Sequence, residues 1–126
     1  MPFWSREAHR RDFMGLDISF EMLDKNIARI TLAGELDAST ASAFQKEVEK
    51  AAQQKARRLV LMVTDLEYIA SAGLRVLVFA KQKMGAGVDV YVIGAQEQVT
   101  DTLKKTGLHN SVITLPEYNA AVVEAL

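Results

Sequence analysis

The sequence contains no cysteine, which excludes disulfide bonds, thiolate metal sites and a cysteine nucleophile. No apolar run approaches the roughly 20 residues that a membrane-spanning helix requires, so membrane insertion is not expected. The segment up to Asp12 lacks the apolar core of a secretory signal. The formal net charge is -1, and without an excess of Lys and Arg the usual electrostatic basis for nucleic-acid binding is missing. These absences favour a cytoplasmic protein that binds no nucleic acid.

What is present is typical of one globular domain. The chain has 126 residues, of which 49% are hydrophobic and 25% charged, and this is enough to bury a single core. Residues 1–15 are mixed aromatic and basic without regular alternation, so we interpret them as a flexible amino-terminal extension. The alternative is a short docking arm that uses Phe3 and Trp4. Residues 16–126 form the predicted domain.

Hydrophobic periodicity predicts an alternation of strands and helices in this domain. The predicted strands cover residues 17–22, 27–32, 57–63, 88–93 and 112–115. The predicted helices cover residues 39–54, 71–84, 96–105 and 116–126. This order predicts an α/β fold with a mixed, mostly parallel sheet of about five strands, packed with about four helices. The first strand belongs to an antiparallel hairpin, because only the short polar turn 24–26 separates it from the second.

Ser71 stands between a buried strand and an amphipathic helix, where we expect a helix N-cap. A hydroxyl at this place lies at the positive end of the helix dipole, where added negative charge is tolerated. Ala72 and Gly73 keep the first turn free of bulk, so another protein can approach the backbone closely. The residues therefore predict a small, exposed and modifiable site on a rigid scaffold.

Three segments carry a resemblance to a known family. They are Gly-Glu-Leu-Asp at 34–37, Ile-Ala-Ser-Ala-Gly-Leu-Arg-Val-Leu at 69–77, and Leu-Lys-Lys-Thr-Gly-Leu at 103–108. In this order, within this pattern of strands and helices, they resemble the STAS family, the domain shared by bacterial anti-sigma factor antagonists and the cytoplasmic tails of sulfate transporters. The resemblance covers residues 17–125.

The resemblance implies a regulatory partner-switching protein. In that family the unphosphorylated antagonist binds an anti-sigma factor that is a serine kinase, and so frees a sigma factor for transcription. Phosphorylation of the serine at the helix start, here Ser71, ends the complex, and a phosphatase resets the cycle. The implied partner-binding residues are Glu35, Asp37, Ser39, Thr64, Ala70, Ser71, Ala72, Gly73, Leu74 and Arg75. This chain departs from many members at Ala70 and Met62, where they carry Asp.

Several of these residues also have ordinary structural interpretations. Ser71 is a phosphoacceptor or a simple N-cap, and Asp37 either caps the first helix, as Ser39 also can, or offers a carboxylate to a basic patch or a nucleotide-bound metal on the kinase. Thr64 is a second hydroxyl near the site or a plain loop hydrogen-bonding residue. Leu74 is expected in the core with partial exposure.

Other functional classes remain as alternatives. A soluble STAS-like accessory subunit of a transport ATPase complex would dock without a phosphorylation cycle. An enzyme with Ser71 as nucleophile is not expected, because the Gly-x-Ser-x-Gly elbow is missing and no histidine has the context of a base. Ligand binding at the carboxyl edge of the sheet is a further possibility. His9 and His109 are isolated, so neither a metal site nor a cofactor is expected.

Overall fold

The computed structural model describes residues 11–13, 15–85 and 87–125. Its strands are β1 (Arg11–Phe13), β2 (Leu16–Leu23), β3 (Ile27–Leu36), β4 (Arg58–Ile69), β5 (Asp89–Ile93) and β6 (Ile113–Leu115). Its helices are α1 (Ala41–Gln53), α2 (Ser71–Met84), α3 (Glu97–Thr106) and α4 (Ala120–Val123). The predicted docking arm with Phe3 and Trp4 lies outside the described residues, as does His9.

The strands form one sheet in the order β1-β2-β3-β4-β5-β6. The pairs β1/β2 and β2/β3 are antiparallel, and the remaining pairs are parallel. The predicted α/β class, the opening hairpin and the mostly parallel sheet are therefore confirmed. The turn of the hairpin places Lys25 and Asn26 at φ 68° and 59°. Strand β1 was not predicted; it adds an edge strand within residues 1–15.

The two faces of the sheet are covered differently. On one face α1, α2 and α3 bury the larger apolar cluster, which includes Phe44, Val76 and Leu103. The opposite face carries a smaller cluster around Ile27, Val60, Tyr91 and Ile93, and Val123 of the carboxyl-terminal segment completes it. The three longer helices thus share one face of the sheet.

Helix α4 is four residues long, and the predicted helix over 116–126 was wrong in length. The helix begins only at Ala120 because the Asn119 side chain caps it by accepting a hydrogen bond from the Ala121 N–H at 3.0 Å. It ends where the Arg58 guanidinium donates to the carbonyl oxygens of Val122 and Val123, at 2.9 and 2.8 Å. Such donors satisfy carbonyl groups that a helix end leaves unpaired.

Strands β3 and β4 both run further than their apolar patterns predict. The register between the two strands shifts twice. Residues 62–65 of β4 lie opposite residues 31–33 of β3, and residues 66–68 lie opposite residues 34–35. Each shift is a β-bulge, in which one extra residue of β4 is accommodated. As a result β4 exposes two adjacent pairs: residues 64–65 between buried Val63 and Leu66, and residues 67–68 between buried Leu66 and Ile69. The polar stretch after Val63 looks like a loop in the sequence for this reason.

Gly34 permits the close approach of two strands in this region. Its φ is 102°, and a Cβ there would lie 2.0 Å from the Gly15 carbonyl oxygen. The same carbonyl accepts a hydrogen bond from the Glu35 N–H at 3.0 Å. A side chain at position 34 would therefore disrupt the hydrogen bond between the Glu35 N–H and the Gly15 carbonyl oxygen.

Candidate functional site

The two motif segments meet where β3 and β4 end. Leu36 and Ile69 are the last residues paired between these strands, and the Ala70 N–H donates to the Leu36 carbonyl oxygen at 2.8 Å. Asp37 follows one strand and Ser71 begins the helix after the other. We call this end of the two strands, residues 35–36 and 68–70, the β3–β4 tip. The parallel pairing therefore brings both predicted segments to one edge of the sheet.

Ser71 is the first residue of α2 and not its N-cap, so the prediction was off by one position. Ala70 occupies the N-cap with extended backbone angles (φ −94°, ψ 173°), and the Leu74 N–H donates to its carbonyl oxygen at 3.1 Å. Ser71 is exposed, and within the described residues its hydroxyl forms no hydrogen bond. The hydroxyl thus lies on an exposed residue at the positive end of a helix.

Gly73 and Leu74 are buried beneath this turn. A Cβ on Gly73 would lie 2.7 Å from Leu36 Cγ and 3.0 Å from Ile69 Cγ1. The absent side chain therefore makes room for two side chains of the same domain, whereas we expected it to let another protein approach the backbone closely. Leu74 is 8% exposed, in agreement with its expected place in the core. Because both residues are buried, they lie in the core beneath Ser71 and not on the expected contact surface.

The outward face of α2 carries Ser71, Arg75 and Val78, which are all exposed. Their spacing of four and three residues places them on one side of the helix. Ala70 and Ala72 are partly buried, and Ala72 packs against the larger apolar cluster. The side chains next to the Ser71 hydroxyl are therefore small, and one cationic side chain, Arg75, lies a turn away.

The loop after β3 is organised by hydrogen bonds to Asp37. Its Oδ1 accepts from the Ser39 N–H at 2.9 Å and from the Ser39 hydroxyl at 2.7 Å. Thr40, which the sequence analysis missed, is fully buried; its hydroxyl donates to the Glu35 carbonyl oxygen at 3.0 Å and accepts from the Asp37 N–H at 2.9 Å. Thr40 also occupies the N-cap of α1, so neither Asp37 nor Ser39 is the predicted cap.

Thr64 does not join this loop. It lies in the first bulge of β4, roughly 15 Å before Ile69 along the strand. Its carbonyl oxygen accepts from Gln96 Nε2 at 2.9 Å, and a Cβ on Gly94 would lie 2.4 Å from its hydroxyl oxygen. Thr64 therefore belongs to the junction of β4 with β5 and α3, and its expected place beside Ser71 is corrected.

An open groove lies beside the β3–β4 tip. Glu35, Glu67, Tyr68 and Gln98 line this shallow groove, which is widely open to solvent. We call it the Tyr68 groove. Of these four residues, only Glu35 is predicted from the sequence to take part in binding, because the other three come together through the second bulge and the packing of α3. No local sequence signal marks Gln98.

Comparison with protein families identifies the fold. The family model of the STAS domain matches residues 23–124. This chain belongs to the STAS domain family. The predicted resemblance is therefore confirmed over most of the chain.

Relatives of this STAS domain include an anti-sigma factor antagonist. The anti-sigma-F factor antagonist RsfB of Mycobacterium tuberculosis is 27% identical over 77 residues, which are 60% of this chain and 63% of RsfB. The chain thus matches less than two thirds of the length of that relative.

Solved structures share the fold at low identity. An anti-sigma factor antagonist from Mycobacterium paratuberculosis superposes with a TM-score of 0.77 at 21% identity, covering 86% of this chain and 92% of that chain. Unphosphorylated SpoIIAA superposes with a TM-score of 0.68 at 19% identity, covering 78% of this chain and 87% of that chain. The phosphorylated form of SpoIIAA, from Bacillus, superposes with a TM-score of 0.65 at 16% identity, covering 86% of this chain and 97% of that chain.

The described part of this STAS domain contains neither a membrane-spanning helix nor a cluster of metal ligands. None of its helices is both long and apolar enough to cross a membrane. Over the same residues, no group of three or more His, Asp or Glu side chains is arranged to hold a metal ion.

The hydrogen bonds of Asp37 lower its pKa from the ordinary value of 3.8, and the Ser39 hydroxyl is the largest cause, with partial burial opposing it. Because the folded pKa is the lower one, the carboxylate stabilises the fold above its unfolded pKa, and this contribution is lost as the pH falls through the folded value. An NMR titration should therefore place the Asp37 midpoint below 3.8.

In Ser39→Ala the pKa of Asp37 should move upward toward its ordinary value. The free energy of unfolding should then fall less steeply as the pH is lowered. Urea denaturation at several pH values below neutrality measures the second effect. An unchanged Asp37 midpoint in Ser39→Ala would show that the hydroxyl is not the dominant cause.

Proposed function

We propose that this STAS domain is an anti-sigma factor antagonist that acts in the cytoplasm and is controlled by phosphorylation of Ser71. The observation that carries the proposal is the exposed, unengaged Ser71 hydroxyl on the first turn of α2, next to the loop of Asp37. The names of RsfB and SpoIIAA, and the existence of SpoIIAA in both phosphorylation states, support it. In its unphosphorylated form the domain binds an anti-sigma factor that is a serine kinase, which frees a sigma factor.

The reaction is carried out by the kinase, with this domain as its substrate. The Ser71 Oγ forms a bond to the γ-phosphorus of ATP, and the bond from that phosphorus to the β,γ-bridging oxygen breaks, so that ADP leaves. The hydroxyl proton passes to a base. Ala70 offers no carboxylate beside Ser71, so the kinase supplies this base. A phosphatase later hydrolyses phospho-Ser71 and restores the binding form.

The effect of the phosphate differs between the free domain and the complex. It adds about -1.5 to -2 charges at the tip of α2. In the free domain, water, the amino terminus of α2 and Arg75 one turn away compensate this charge. Inside a closed interface the phosphate loses water without a matched partner, and each 1.4 kcal/mol of that cost weakens binding about tenfold. Phosphorylation therefore separates the partners and leaves the fold intact.

Intact-mass measurement tests the proposal. The protein is incubated with ATP and each anti-sigma factor kinase of its own organism, and we expect a gain of one phosphoryl group. Ser71→Ala should abolish the gain. Ser111→Ala should retain it, because Ser111 is an exposed serine that precedes β6 at the opposite edge of the sheet. Stable binding to a transport ATPase without any gain in mass would contradict the proposal and support the accessory-subunit alternative.

A further inference from the structure

The Tyr68 groove joins side chains from three elements that have no common local pattern. Glu35 and Tyr68 face each other across the β3/β4 pair, Glu67 precedes Tyr68 in the second bulge, and Gln98 lies in the first turn of α3. The Tyr68 side chain is 42% exposed, which makes it one of the few large hydrophobic residues left open to solvent among those described. An aromatic ring is thus held at the surface beside two carboxylates.

Nothing in the described part of the chain neutralises these carboxylates. Its ion pairs join Arg29 with Glu21 and Lys50 with Glu47, and neither Glu35 nor Glu67 takes part in one. Its ring–cation contacts involve Phe20 and Tyr91, and not Tyr68. Among the described residues, the groove therefore presents two carboxylates and a Tyr68 ring that no cation contacts.

We propose that the Tyr68 groove receives an arginine side chain of the anti-sigma factor partner. This inference rests on the function proposed above and specifies how the partner is recognised. A guanidinium group is planar, carries five N–H donors and stacks on aromatic faces, so it satisfies two carboxylates and the Tyr68 ring at once. The Gln98 amide oxygen accepts a further donor. A lysine ammonium is a compact point charge and matches this set of groups less well.

The position of the groove also favours a partner that docks at Ser71. Tyr68 precedes Ser71 by three residues, so roughly 10 Å of extended chain separates them. A specific interface covers about 800 Å² on each protein, which is wide enough to include both. A partner seated over the Ser71 hydroxyl therefore also covers the groove.

The first test uses a defined probe and does not require the kinase. Amide chemical shifts of the full chain are followed by NMR during titration with the peptide acetyl-Gly-Arg-Gly-amide. We expect saturable shifts centred on Glu35, Glu67, Tyr68 and Gln98, and weaker shifts with the lysine peptide. Tyr68→Ala and the double variant Glu35→Gln/Glu67→Gln should each reduce the peptide affinity roughly tenfold. Asp24→Asn is the matched control, because it removes an exposed carboxylate at the opposite end of β3.

The same variants are then measured against the kinase that phosphorylates Ser71. Tyr68→Ala should weaken that complex roughly tenfold, and Asp24→Asn should not. Absent or scattered shifts with the arginine peptide, or equal shifts with the lysine peptide, would overturn the groove inference even if Ser71 is phosphorylated. Localised arginine shifts in a protein that no kinase modifies would instead overturn the proposed function and leave arginine recognition standing.

Discussion

Ser71→Glu is expected to weaken the complex with the anti-sigma factor kinase by at least about tenfold, which corresponds to about 1.4 kcal/mol. The carboxylate places a permanent charge where the complex must exclude water, and the desolvation cost falls on the bound state alone. In the free domain Ser71 is exposed at the first position of α2. A negative side chain there interacts favourably with the helix dipole, so the free energy of unfolding should rise by about 0.3–1 kcal/mol.

Two measurements separate the binding effect from damage to the fold. Isothermal titration with the kinase gives the affinity, and urea denaturation gives the free energy of unfolding. Ser111→Glu is the control, since it adds the same charge at the opposite edge of the sheet. Equal affinity of Ser71→Glu and wild type would contradict the switch, and so would a loss of affinity that Ser111→Glu shares.

Gly73→Ala is expected to lower the free energy of unfolding by about 1–3 kcal/mol, as overpacking of a core commonly does. The added methyl group would lie 2.7 and 2.8 Å from Leu36 Cγ and Cδ2. Leu36 is fully buried, so its side chain cannot move into solvent to relieve the contact. Because Leu36 joins Glu35 to Asp37, its displacement also shifts the loop beside Ser71.

A double-mutant cycle tests the mechanism of this loss. Leu36→Ala alone should cost about 2–5 kcal/mol through the cavity it leaves. In the double variant Gly73→Ala/Leu36→Ala the new methyl group enters that cavity, so the combined loss should be smaller than the sum of the single losses. Gly87→Ala, at an exposed glycine with open space around its Cβ position, should have little effect. Strict additivity would show that Gly73 and Leu36 do not compete for the same space.

Much of the architecture was predictable from local pattern. The alternation of residues 17–22 and the turn at 24–26 predict the hairpin, which the structure confirms. The segment before Ser71 predicts a buried strand and the segment after it a helix, and both are present. These features depend on which residues face the core, and the spacing of apolar residues records that directly.

The arrangement around Ser71 was less predictable, because it depends on contacts between distant residues. The two bulges of β4 arise from its pairing with β3, so the sequence of residues 62–69 alone does not predict them. They place Thr64 with Gly94 and bring Glu67 and Tyr68 to the groove. The burial of Gly73 likewise follows from where Leu36 and Ile69 lie, since a glycine at a helix start looks the same in sequence whether it is covered or open.

The sequence by itself determined the order of strands and helices from β2 onward, the motifs of the STAS domain and the presence of a serine where α2 begins. Only the tertiary structure decided which of the neighbouring residues are accessible. Periodicity encodes the side of a strand or helix that turns inward, whereas strand register and helix packing bring together side chains that are far apart in the chain. The buried Gly73 and the open Tyr68 groove are products of that second level.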